Sequence, residues 1–280
     1  MIHVEKDYDC LPPQLLSDRC EKKIKEAIES TGTYRASGDY YRKPTIEALK
    51  KLYNHKCGYC EHDSGNFVVD HYRPVNNKQN DDHAGYRWLS YEWSNLILCC
   101  HGCNNHKSSS FPIMPDGIRM VNPGVFRKDY YADSKKLLLE KSYLLNPEID
   151  YPDKHINFLP NGKVEGISER GKKTIEICKL DRDDLIIARK KVIGYYYNEL
   201  ITDIDSFESK KCSTETFEFS INKFFKNLFS LSNNNNSFLI LRWRMFVNFD
   251  SFFIEKLKSE KQATEKVLEM IQKIYESWIS

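Results

Sequence analysis

Two Cys-x-x-Cys pairs constrain the fold of this 280-residue chain more than any other feature. The first pair is Cys57 and Cys60, and the second is Cys100 and Cys103. Zn²⁺ prefers four thiolates in a tetrahedron, and each pair offers two sulfurs from one tight turn. The segment between the pairs must then fold back on itself, so we expect a small module closed by one structural zinc ion. A redox motif or four buried thiols are the alternatives, and two complete pairs in one module favour zinc.

Composition narrows the class of protein. Lys and Arg (42) nearly balance Asp and Glu (40), and the net charge of +2 gives no general attraction to a polyanion. Affinity for nucleic acid must therefore come from a local patch. No signal peptide and no run of roughly 18 apolar residues is present, so we expect a cytoplasmic protein without a membrane segment. Nine cysteines in a reducing compartment fit metal binding better than disulfides, with Cys99 as a spare thiol.

The chain divides into four predicted segments. They are an N-terminal segment (1–43), the module with the cysteine pairs (44–116), an irregular extension rich in turns (117–178) and a helical C-terminal domain (179–280). Apolar spacing predicts one helix from Leu15 to Ser30 and a second that begins at Pro44, a residue favoured in a first helical turn. The C-terminal domain shows the periodicity of four helices, with a low-complexity loop at Asn233 to Asn236.

The segment between the cysteine pairs carries a candidate catalytic set. The β-branched run at residues 67–69 places Asp70 and His71 at a strand end, where successive side chains point to opposite faces. A second strand from Asn95 leads into a helix or tight turn that brings Asn104 toward Asp70. Carboxylate and amide oxygens suit Mg²⁺ or Mn²⁺, which also bind phosphate oxygens. His71, with an ordinary pKa near 6.5, can accept a proton from water; a hydrogen-bonded core histidine is the alternative.

These residues resemble a known family. The pattern Cys-x-x-Cys, Asp-His-x-x-Pro, Asn-Leu-x-x-x-Cys-x-x-Cys-Asn-x-x-Lys is similar to that of HNH endonucleases with a ββα-metal core. Longer matches resemble a narrower group, the Septu and retron-associated HNH endonucleases called PtuB. These matches are Cys57-Gly-Tyr-Cys-Glu61, Val69-Asp-His-Tyr-Arg-Pro74, the segment from Tyr86 to Leu96, and Lys107-Ser-Ser-Ser-Phe-Pro112. The resemblance covers roughly residues 44 to 190.

The resemblance implies a role for each matching residue. It makes His71 the general base, Asp70 and Asn104 the ligands of the catalytic metal, and Asn95 the residue that fixes the loop holding His71. Arg73 and Lys107 are candidate phosphate contacts, with solvated surface charges as the alternative. The implied fold is α+β: a small zinc-stabilised ββα-metal core embedded in a mainly helical protein.

The implied activity is metal-dependent hydrolysis of phosphodiester bonds in DNA or RNA. The resemblance also implies a Septu-type or retron-associated anti-phage complex with a PtuA-like ABC or SMC ATPase, and in the retron case a reverse transcriptase and its DNA. The extended stretch from Tyr8 to Pro13 is a candidate docking peptide for that partner, with a disordered terminus as the alternative. The competing function is a zinc-ribbon-like module that binds nucleic acid or protein without cutting.

Overall fold

The computed structural model describes residues 1–31, 33–36, 39–77, 85–121, 127–229 and 237–280. This part of the chain is mainly helical with two small sheets, as the α+β prediction expected. The helices are α1 (Asp18–Glu29), α2 (Asp39–Leu52), α3 (His101–Lys107), α4 (Lys135–Leu138), α5 (Glu169–Cys178), α6 (Asp183–Glu208), α7 (Thr214–Phe229), α8 (Leu239–Val247), α9 (Glu255–Glu260) and α10 (Glu265–Ile279). The strands are β1 (Phe67–His71), β2 (Leu96–Cys100), β3 (Ile156–Phe158) and β4 (Val164–Gly166). Within these ranges no helix has the length and apolarity that a membrane crossing requires.

The chain forms two compact units. The first comprises residues 1–156 and 165–180, and the second comprises residues 157–164 and 181–280. Most of the three segments predicted over residues 1–178 thus share one unit. The low-complexity loop expected at residues 233–236 lies outside the described residues.

A strand pair followed at once by a helix organises the first unit. Strands β1 and β2 are antiparallel, with Asp70 opposite Ile97 and His71 opposite Leu96. Every residue of β2 is buried, so this strand anchors the sheet in the core of the unit. Cys100 ends β2 and its sulfur accepts a hydrogen bond from the backbone N–H of Cys103, which caps the start of α3. Strands β1 and β2 and helix α3 are thereby fixed around the second cysteine pair.

Helices α2 and α5 are among those that differ from the sequence prediction. Helix α2 begins at Asp39, five residues before the predicted start at Pro44. Pro44 is therefore the sixth residue of the helix and lies inside it, where it has no N–H to donate to the carbonyl four residues earlier. In the extension expected to be irregular, Ser168 caps α5 by accepting a hydrogen bond from the N–H of Gly171. This side-chain cap stabilises a helix of ten residues, although the turn-rich composition around it favoured irregular structure.

The N-terminal segment packs on the first unit. The ammonium of Lys6 is buried, donates to the carbonyls of Trp93 and Leu96, and lies 3.8 Å from the centre of the Trp93 ring. Farther along, Asp9 accepts a hydrogen bond of 2.6 Å from the Tyr131 hydroxyl. Within the proposed docking peptide, Asp9 therefore already has a partner in the chain, and docking of the peptide on another protein stays a prediction.

The second unit is a helical cluster around aromatic side chains. Phe224 and Phe225 on α7 pack against Phe249 and Phe253, with ring centres 4.9 to 6.2 Å apart. Phe253 lies in a π-helical turn, Asp250–Ile254, that joins α8 to α9. The sequence predicted four helices in this domain, and its described residues form α6 to α10, because α8 is followed by the π-helical turn and α9. Edge-to-face pairs of this kind add directional contacts to apolar burial.

Candidate functional site

The four paired cysteines form one compact cluster in the first unit. The sulfurs of Cys57, Cys60, Cys100 and Cys103 are buried and lie within 4.8 Å of one another. The Cys60 and Cys100 sulfurs are 3.8 Å apart. Sulfurs at about 2.3 Å from a central ion in a tetrahedron would be about 3.8 Å apart. The cluster therefore fits one tetrahedral zinc ion, as the sequence predicted.

Close backbone packing shapes the first cysteine turn. The N–H of Gly58 donates to the carbonyl of Leu98, which ties this turn to β2. A Cβ atom at residue 58 would lie 2.7 Å from the Ile97 side chain and 2.9 Å from the Tyr53 ring. Only glycine avoids these clashes. The turn can therefore deliver both sulfurs of the first pair to the end of β2.

The protonation of the cluster depends on its surroundings. Burial raises the pKa of the Cys57 thiol, whereas hydrogen bonds from the other thiols of the cluster hold the pKa of Cys100 well below its usual range. Four thiolates in a buried site repel one another, and a divalent cation offsets that cost. Cys99 is not one of the four, and burial raises its pKa to about 12. It is a buried thiol beside the cluster, as the sequence suggested.

His71 lies half-buried at the end of β1, and its ring orientation is defined. The Nε2 atom is 2.8 Å from the carbonyl oxygen of Ser90. Since a carbonyl can only accept, Nε2 carries the proton and Nδ1 carries the lone pair in the neutral ring. Burial lowers the pKa of His71, which favours the neutral imidazole near pH 7. A neutral imidazole with a defined basic nitrogen can act as a general base.

The Asn95 side chain braces two backbone segments, the one that follows His71 and the one that contains Leu89. Its side-chain oxygen accepts from the N–H of Arg73, and its amide group donates to the carbonyls of Arg73 and Leu89. Arg73 lies two residues after His71, and Leu89 precedes Ser90, whose carbonyl holds the His71 ring. One amide thereby links the two segments that orient the imidazole, and a role of Asn95 in fixing the loop that holds His71 stays a prediction from the family resemblance.

Asp70 and Lys107 form a buried ion pair. The Lys107 ammonium is 3.0 Å from Asp70 Oδ2 and donates a bond of 2.8 Å to the carbonyl of His71. The Tyr59 hydroxyl donates to the same carboxylate at 2.7 Å. Lys107 has a side-chain exposure of 0%. The structure therefore gives Lys107 an internal role instead of the predicted phosphate contact, because its charge is already paired within the fold.

Arg73 is also turned inward. Its Nε atom lies 2.6 Å from Glu140 Oε2, with both side chains buried, and its Nη2 atom donates to the carbonyl of Leu137. The expected phosphate contact does not suit this geometry either. Glu140 lies 67 residues away in sequence, so nothing near Arg73 in the sequence could indicate the pairing.

This buried pair yields a stability prediction. We expect Arg73→Met to lower the free energy of unfolding by about 3–5 kcal/mol, because Glu140 would be left as a buried carboxylate without its cation. Denaturant unfolding monitored by fluorescence measures the change. Lys136→Met, which breaks the more exposed pair with Asp129, is the matched control and should change stability little. An unchanged midpoint for Arg73→Met would contradict the structural role.

A polar cleft brings the remaining predicted residues together. Its volume is about 510 Å³, and Asp70, His71, Asn104 and Asn105 contribute to its walls. The donors suitable for a hard cation include the Asp70 carboxylate and the Asn104 amide oxygen predicted from the sequence, and Asn105, Ser108 and Ser109 add further oxygens, while no second carboxylate of the described residues lines the cleft. This set fits an ion such as Mg²⁺, which uses one or two carboxylates and completes its shell with water and substrate phosphate.

Sequence reasoning missed several residues around this cleft. Ser90 contributes only a carbonyl, which any residue type has, so no signal could reveal it. Tyr59 lies between the first two cysteines, and this position in the sequence could have indicated that its side chain makes a contact near the zinc site. Arg42 on α2 is exposed. Burial is the largest cause that lowers the pKa of His71, and the positive charges of Lys107 and Arg42 lower it further. It is an exposed cation near the cleft that the sequence did not single out.

Two curated proteins of Bacillus mycoides (strain KBAB4) are homologous to this chain. Septu protein PtuB is 35% identical over 155 residues, which are 51% of this chain and 49% of PtuB. Septu protein PtuA is 28% identical over 207 residues, which are 70% of this chain and 25% of PtuA. The chain thus spans about half the length of PtuB and a quarter of PtuA. No family model matches the chain. The homology confirms the part of the sequence resemblance that concerns PtuB.

Proposed function

We propose that this chain is a metal-dependent endonuclease of HNH type that serves as the nuclease component of a Septu-type anti-phage system. The observation that carries the proposal is the cleft in which His71, Asp70 and Asn104 come together beside a four-cysteine cluster. The homology to PtuB and PtuA supports the Septu assignment. A zinc-ribbon-like binding module would have no use for an oriented imidazole next to two oxygen donors.

The chemistry assigns each residue one task. His71 Nδ1 accepts a proton from a water molecule as the water oxygen bonds to phosphorus and the bond to the 3′ oxygen breaks. The leaving 3′ oxygen takes up a proton from solvent water, so the products carry 5′-phosphate and 3′-hydroxyl ends. Asp70 and Asn104 would hold the divalent cation, which supplies positive charge to the phosphate and the leaving oxygen. Asn95 keeps the imidazole in place through the backbone.

Regulation by a partner follows from the charge of the chain. A net charge of +2 provides little non-specific affinity for nucleic acid, and an ungated nuclease would damage the cell. Both relatives carry the Septu name in one organism, which supports a PtuA-like ATPase as the partner. A retron reverse transcriptase with its DNA is a further candidate partner in the same proposal.

Reconstitution tests the proposed function. The tagged chain is purified alone and with its genomic neighbours, then incubated with duplex DNA, single-stranded DNA and RNA pools in Mg²⁺ or in EDTA. We expect co-purification of an ATPase, and Mg²⁺-dependent cleavage of one pool that is stronger in the complex than with the chain alone. No cleavage in any combination, together with full phage protection by His71→Ala cells, would reject the nuclease proposal.

A further inference from the structure

The two oxygens of Asp70 have different surroundings. Oδ2 accepts from the Tyr59 hydroxyl at 2.7 Å and lies 3.0 Å from the Lys107 ammonium. Within the part of the chain that the structure describes, Oδ1 has only a long contact of 3.3 Å with the same ammonium. A carboxylate oxygen with two short donors has little capacity left for a cation. The oxygen with spare capacity is therefore Oδ1.

Both donors come from the segments that carry the cysteine pairs. Tyr59 lies between Cys57 and Cys60. Lys107 follows Cys103 by four residues on α3, so both project from the same side of that helix. The ion that closes the cysteine cluster would thereby also fix the two groups that hold Asp70. The cysteine cluster and the cleft are linked through one carboxylate.

Neither donor can reach a substrate. Tyr59 has an exposure of 0%, as does the Lys107 side chain, whereas Asp70 retains 5% at the cleft. Resting on the proposed function, we propose that Tyr59 and Lys107 are positioning residues. They hold Oδ2 so that Oδ1 of Asp70 is the atom presented to a divalent cation in the cleft. Groups that orient a ligand in this way commonly contribute 10–100-fold to metal affinity.

A second buried carboxylate, that of Glu148, is also held by one tyrosine and one lysine, and this group serves as an internal control. The Tyr53 hydroxyl donates to Glu148 Oε1 at 2.5 Å, and the Lys6 ammonium is 3.0 Å from the same oxygen. Glu148 does not line the cleft. Tyr59→Phe and Tyr53→Phe each remove one buried hydroxyl from a carboxylate paired with lysine. They differ in whether that carboxylate faces the cleft.

Direct metal binding is the decisive measurement. Mn²⁺ binding to substrate-free protein is followed by electron paramagnetic resonance, and zinc content by elemental analysis. Tyr59→Phe should weaken Mn²⁺ binding about 10-fold or more, with zinc retained. It should also raise the Mg²⁺ concentration for half-maximal cleavage while the rate at saturating Mg²⁺ recovers. Tyr53→Phe should match the wild type in all three measurements.

The outcomes separate this inference from the proposed function. Mn²⁺ binding that Asp70→Ala abolishes but Tyr59→Phe leaves unchanged would overturn the positioning role alone. Mn²⁺ binding that Asp70→Ala does not affect would remove the proposed metal site as well. Lys107→Arg keeps the charge but displaces the donor, so we expect a smaller loss in the same direction. Loss of zinc from both the Tyr59 and the Lys107 variant would likewise reject the positioning role. Wild-type Mn²⁺ affinity in both variants would reject it too.

Discussion

His71→Ala is expected to lower the cleavage rate by about 10²- to 10⁴-fold while fold and zinc content stay as in the wild type. The imidazole has the geometry of a general base, since the Ser90 carbonyl holds Nε2 at 2.8 Å and leaves Nδ1 as the basic nitrogen. No other described histidine contributes to the walls of the cleft. Single-turnover cleavage at saturating Mg²⁺ isolates the chemical step from metal binding.

His106→Ala is the matched control for this variant. His106 lies exposed in the last turn of α3, two residues after Asn104, and does not line the cleft. We expect His106→Ala to retain most of the activity. Wild-type turnover by His71→Ala would show that the base has been misassigned, and zinc loss in that variant would show that His71 is structural.

Cys100→Ser is expected to remove the tightly bound zinc and to unfold the surrounding module. Cys100 is at once a candidate ligand, the last residue of β2 and the cap of α3. Zinc binding contributes about 10–16 kcal/mol in small zinc-dependent domains, so its loss should exceed what the strand pair can supply. Elemental analysis should show about one zinc per wild-type chain after dialysis against EDTA, and close to none in the variant.

Cys99→Ala is the control that tests the identity of the ligands. Its thiol is equally buried and adjacent in sequence, yet it is not part of the cluster of four. The variant should keep its zinc. Hydrogen exchange across residues 57–107 should report protected amides in Cys99→Ala and rapid exchange in Cys100→Ser. If Cys100→Ser is folded and neither it nor Cys99→Ala contains zinc, a structural metal would be excluded.

Local chemistry explains what could be predicted about the candidate site. A turn that supplies two thiolates to one metal ion needs two cysteines three positions apart. A β-branched run before Asp70 and His71 is enough to predict a strand that ends at these residues. Such requirements are met within a few residues, so spacing alone revealed the cysteine cluster and the two strands. Apolar periodicity likewise indicated the C-terminal helices, because each helix buries one face whatever its partner is.

The sequence by itself thus determined the four-cysteine cluster, the strand that carries Asp70 and His71, and the helical character of the C-terminal residues. Only the tertiary structure decided which charged groups turn inward. Arg73 meets Glu140 across 67 positions, and Lys107 meets Asp70 across 37. A lysine or arginine looks the same in a sequence whether it contacts phosphate or a buried carboxylate. The difference is set by desolvation and by partners that the folded chain brings together, which no local pattern encodes.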